Sequence, residues 1–90
     1  MSEVMEYDAS LHLEQLIEST HPSIGNVLKC FRFKHLPENL REVSQRFAET
    51  AISMIDYRKL QGTEATVGLR KLLEAKDCFV RAALDTPATK

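Results

Sequence analysis

Gly62 divides the second half of the chain into two runs whose apolar residues recur at three- and four-residue steps. Before it stand Leu40, Val43, Phe47, Ala51, Met54 and Ile55; after it, Ala65, Leu69, Leu72, Leu73, Phe79, Val80 and Ala83. Each run is the stripe of an amphipathic helix. The expected helices are 38–60 and 63–85, the first opened by Pro37 and Glu38, the second by Thr63 as cap with Glu64 in its first turn. At 1.5 Å per residue, a helix of ~20 residues is about 30 Å long. A short connection makes two such helices pack antiparallel. The expectation is an all-α fold: a short N-terminal helix followed by a long antiparallel helical hairpin.

Two helices bury only the strip along which they touch. Ninety residues make one domain of marginal size, and Cys30 and Cys78, 48 positions apart without a CxxC, offer neither a disulfide framework nor a zinc pattern. Both are read as free thiols in buried or incidental roles. The missing burial is expected from copies of the chain itself, giving a homo-oligomer with ligand sites that span chains.

The segment 1–28 holds Glu3, Glu6, Asp8, Glu14 and Glu18 and no lysine or arginine, a charge of -5; from Lys29 onward 12 cations face 8 carboxylates, giving +4. That excess over 62 residues is too dilute for a nucleic-acid footprint, and no DNA partner is expected. Within the acidic segment, Ser10 to Glu18 reads as a short amphipathic helix ended by His21-Pro22. The longest uncharged stretch, Ser19 to Leu28, is ten residues against the roughly 20 of a spanning helix, so no membrane span is expected. No secretory signal is visible, which makes the cytoplasm the default compartment.

The segment 29–37 alternates aromatics and cations with period two and reads as extended, Phe31 and Phe33 on one side, Arg32 and Lys34 on the other. The two phenylalanines are either core anchors or a base-stacking surface beside cations. His35 is a surface or capping residue, or a phosphate donor. Lys76 interrupts the second stripe; its stem covers the seam's edge while the ammonium reaches water, or it points at an anion held between subunits. His12, His21 and His35 show no metal-ligand spacing, and the chain carries no HExxH, GxSxG or glycine-rich phosphate loop, so neither metal, cofactor nor catalysis is expected. Glu74 and Asp77 read as ion-pair partners of Arg70 and Arg81.

The run Phe31-Arg32-Phe33-Lys34-His35-Leu36-Pro37, then Leu40-Arg41-Glu42-Val43-Ser44, and above all Leu69-Arg70-Lys71-Leu72-Leu73-Glu74-Ala75-Lys76-Asp77-Cys78-Phe79-Val80-Arg81-Ala82 resemble a group of small phage proteins. These are the helical-hairpin family shared by the phage anti-CBASS nucleotide sponges and the Thoeris anti-defence sponges. The resemblance covers about residues 24–84. It implies a non-enzymatic protein of the host cytoplasm that sequesters cyclic oligonucleotide messengers such as 3′,3′-cyclic GMP-AMP and so blocks CBASS effector activation. It also implies a compact homo-oligomer, commonly a hexamer, with cyclic dinucleotides between protomers and, in some members, cyclic trinucleotides at separate sites. Carried onto this sequence, the ligand-binding residues are Phe31 and Phe33 for stacking, Lys34, His35 and Arg41 beside them, and Arg70, Lys71, Lys76 and Arg81 from the second helix. The Thoeris branch implies a cyclic ADP-ribose isomer as the alternative ligand, and the stripes alone are compatible with a non-enzymatic helical adaptor.

Overall fold

Asp8 opens the first helix by accepting hydrogen bonds from the backbone N–H groups of Ser10 and Leu11, at 3.0 and 3.2 Å. The computed structural model describes residues 6–86, in which every regular element is helical: α1 Ala9–Ser19, α2 Pro22–Leu28, a single 3-10 turn Lys29–Phe31, α3 Glu38–Ile52 prolonged by a π turn Ser53–Tyr57, and α4 Thr63–Asp85. No helix among the described residues is long and apolar enough to cross a membrane.

His21-Pro22 ends α1 as expected, yet it also starts α2. Proline occupies the first helical position, where its missing N–H costs nothing, and His21 Nδ1 caps the turn by accepting from the Ser23 N–H at 3.1 Å. Gly25 brings α2 close to α1, since a Cβ there would lie 2.9 Å from the carbonyl oxygen of Ile17.

The segment 29–37 is not an extended run, which corrects the expectation from its alternation. Lys29–Phe31 form a helical turn, Arg32 is extended at φ -61° and ψ 140°, and a turn leads into α3. Burial still alternates: Phe31 and Phe33 are buried while Arg32 and Lys34 are exposed. A 3-10 turn followed by extended chain at Arg32 accompanies the inward placement of both rings.

The core lies between α1, α2 and α3. Leu13, Leu16, Ile24, Leu28, Phe31, Phe33 and Ile52 fill it, and the small residues Ser44, Ala48 and Ala51 give α3 a face that its neighbours can approach closely. The Ser44 hydroxyl is buried there without a partner. α4 packs on α3, with Phe47 against Phe79 and Thr50 beside Leu72, so later residues of α3 meet earlier residues of α4. It contributes only Leu69 as a buried residue, while Leu72 and Leu73 are partly buried and Phe79 and Leu84 are 58% and 65% exposed. The molecule is 19 Å thick, about two helices at ~10 Å each, so one flank of α4 has no covering layer.

Two ion pairs staple α1 to later elements. The Arg32 guanidinium grips Glu14 with two bonds of 2.8 and 2.9 Å, and this holds the Glu14 carboxyl below its ordinary 4.5. His12 and Lys59 hold Asp56 below its ordinary 3.8, His12 being the larger cause. Both carboxylates therefore favour the folded state above their unfolded-state values and cease to do so as pH falls through the depressed folded ones. The thermal midpoint is expected to be flat from pH 7 to about 5 and to fall below about 4. A Glu14→Gln, Asp56→Asn double variant followed by circular dichroism should show a shallower acid slope; an unchanged slope would contradict the assignment.

Candidate functional site

A cavity of about 890 Å³ opens where the end of α1, the start of α2, the segment after the π turn and the start of α4 converge. Ile24, Ile55 and Leu60 give it apolar wall, and Ser19, Thr20, His21, Ser23, Lys59, Thr63 and Thr66 give it polar groups. The π turn carries the chain past α3 and places Lys59, whose φ of 57° lies in the left-handed region. Gly62, at φ 95°, is the N-cap of α4. Thr63, expected as that cap, is instead the first helical residue, and no side chain caps the helix.

Not every polar group in this cleft is free. The Thr20 and Thr66 hydroxyls donate to the carbonyls of Leu16 and Gly62, at 2.7 and 3.2 Å. His21 Nδ1 accepts from Ser23, so neutral His21 carries its proton on Nε2. The remaining donors are that Nε2–H, the hydroxyls of Ser19 and Thr63, the Gln61 carboxamide, the uncommitted protons of Lys59 and the first-turn amides of α4. This set suits an anionic ligand with an apolar part.

Lys59 is anchored from behind. Its Nζ donates to Asp56 Oδ1 at 3.2 Å, His12 Nε2 donates to Asp56 Oδ2 at 2.7 Å, and the Tyr7 hydroxyl donates to His12 Nδ1 at 2.9 Å. A carboxylate only accepts, so His12 carries a proton on Nε2, and in the neutral ring Nδ1 is the acceptor left for the phenol. The Tyr7 hydroxyl is held above its ordinary 10.0, by desolvation first and then by Tyr57, Glu49, Asp56 and Asp8. It stays protonated, so the chain of bonds positions groups and does not activate a nucleophile.

None of the nine residues proposed from the sequence lines this cleft or the smaller hollow between α3 and α4. Phe31 is fully buried and Phe33 is 5% exposed, so in the single chain both are core anchors, one of the two roles expected of them. Lys34 and His35 are exposed in the turn before α3, Arg41 is half-buried in its first turn, and Arg70 and Lys71 are exposed on α4. Lys76 is mostly buried, with 12% of its side chain exposed. Its Nζ donates to the Cys30 carbonyl at 3.1 Å and pairs with Asp77 at 3.3 Å, a cation on the Lys29–Phe31 turn that follows α2. Arg81 donates to Cys78 Sγ at 3.3 Å, and neither Arg70–Glu74 nor Asp77–Arg81 forms an ion pair among the described residues. Cys30 and Cys78 are free thiols, and both are exposed rather than buried.

His21, Lys59 and the start of α4 escaped the sequence reading. Their one local signal is Lys59-Leu60-Gln61-Gly62-Thr63, a cation three residues before a glycine that starts a helix. Against known protein families, curated proteins and solved structures, the chain matches none.

Proposed function

We propose that this chain is a non-enzymatic phage sponge: a homo-oligomer of helical hairpins that sequesters a cyclic oligonucleotide messenger in the host cytoplasm. The observation that supports it is the cleft, which combines apolar wall for a base with free donors and Lys59 for phosphate oxygens. Its volume of about 890 Å³ is ample for a small-molecule ligand. The exposed apolar flank of α4, with Val67 and Leu84, supports assembly with further copies. Competition with effectors that respond at low messenger concentration requires nanomolar affinity, about -12 kcal/mol, and several charge-assisted hydrogen bonds plus stacking supply it.

Calorimetric titration of the protein and of Lys59→Asn with 3′,3′-cyclic GMP-AMP tests this. Asparagine tolerates the left-handed backbone at 59, so the variant loses the ammonium while keeping the fold. The expected outcome is nanomolar binding by the parent, weakened about 10- to 100-fold in the variant. Equal affinities would remove the cleft from the site. No heat with cyclic di- or trinucleotides or with cyclic ADP-ribose isomers would remove the sponge. The same α4 flank favours a second reading, a helical adaptor that docks a protein partner. A monomer by light scattering, indifferent to all these nucleotides, would favour it.

A further inference from the structure

The hollow between α3 and α4 is apolar except for Arg46 and Thr50. Phe47 and Phe79 stack across it with centroids 5.7 Å apart and planes 30° from parallel, and Val43 and Leu72 complete the walls. Phe79 nonetheless remains 58% exposed, so part of its surface is open to a planar group. Arg46, on the rim, has no ion-pair partner among the described residues. Thr50 is already committed, its hydroxyl donating to the Arg46 carbonyl at 3.0 Å. The volume, about 330 Å³, is at the small end for ligand pockets and suits a single base rather than a whole cyclic dinucleotide.

We infer that this groove takes one base of an anionic nucleotide, with Phe79 as the stacking surface and Arg46 as the phosphate partner. An open aromatic face beside an unpaired guanidinium supplies both elements of sequence-tolerant nucleotide binding: stacking and a bidentate charged donor. The charge complementarity selects an anion over a neutral apolar guest. The groove provides the exposed aromatic that Phe31 and Phe33, being buried, do not. This inference rests on the sponge reading and adds to it a contact point away from the cleft.

The chain has no tryptophan, so Phe79→Trp is a single fluorescent reporter that preserves the aromatic face. On titration with 3′,3′-cyclic GMP-AMP, Phe79→Trp is expected to bind like the parent and to lose fluorescence as the base stacks. Phe79→Ala should weaken binding roughly 5- to 150-fold with unchanged elution volume, and Arg46→Ala should weaken it about 10- to 100-fold. If the parent binds while Phe79→Trp stays silent and Phe79→Ala binds equally well, the groove is not a base site, and the sponge reading survives. If Phe79→Ala instead dissociates the assembly, a second copy occupies the groove and the inference falls. A parent that binds no nucleotide overturns the sponge reading and this inference with it.

Discussion

Phe31→Ala is expected to cost about 3–5 kcal/mol of folding free energy, the range for emptying a fully buried aromatic site. A chain of this length has roughly 5–13 kcal/mol in total, so the urea midpoint should fall by about a quarter or more with little change in slope. The size of the effect follows from position. Phe31 closes the Lys29–Phe31 turn with no exposed surface, in the cluster that also holds Leu13, Leu28 and Ile52 from α1, α2 and α3. No neighbour from a single element can relax into the void. Phe79→Ala, by contrast, truncates a side chain that is mostly exposed, and should cost less than about 1 kcal/mol. Comparable losses for the two variants would contradict the placement of Phe31 in the core.

Gly25→Ala is expected to destabilise by about 1–3 kcal/mol, although in an open helix the same exchange gains about 1 kcal/mol. The added Cβ would stand 2.9 Å from the Ile17 carbonyl oxygen and 3.4 Å from Thr20 Oγ1. The nearer atom is backbone, so α1 as a whole has to retreat, carrying Leu13 and Leu16 away from the core. Gly68→Ala on α4 is the internal control. Nothing lies within 4 Å of its Cβ position, and it should stabilise by up to about 1 kcal/mol. Opposite signs at the two glycines, read as thermal midpoints, are the predicted result; equal stabilisation would mean that α1 and α2 are not in close contact.

Periodicity made α4 legible to the residue, because its long stripe starts just after a glycine that no other residue replaces easily at φ 95°. α3 was less so. Its stripe runs through Met54 and Ile55, but the helix widens into a π turn from Ser53, which leaves Met54 exposed and Ile55 buried; one extra residue per turn has no signature in hydrophobic spacing. α2 was missed because X-Pro marks both the end of one helix and the start of the next. The alternation of 29–34 reported burial correctly and conformation wrongly, since a helical turn can also turn two rings inward. The candidate site depends on tertiary contacts: His12 meets Asp56 across 44 positions, and Lys59 reaches the cleft through a left-handed residue. Lys76 stood out as a break in a stripe, but its partner, the Cys30 carbonyl, is a backbone atom that side-chain patterns do not reveal.

Retention followed by recovery of the ligand tests the sponge most directly. The protein is mixed with an equal amount of 3′,3′-cyclic GMP-AMP well above nanomolar concentration and ultrafiltered; the retained fraction is then heat-denatured and its nucleotide resolved by chromatography. The predicted result is a filtrate depleted of nucleotide and release of the same intact cyclic compound from the denatured protein. Nucleotide passing the filter at its input concentration, or leaving the protein as linear or mononucleotide products, would contradict stoichiometric sequestration.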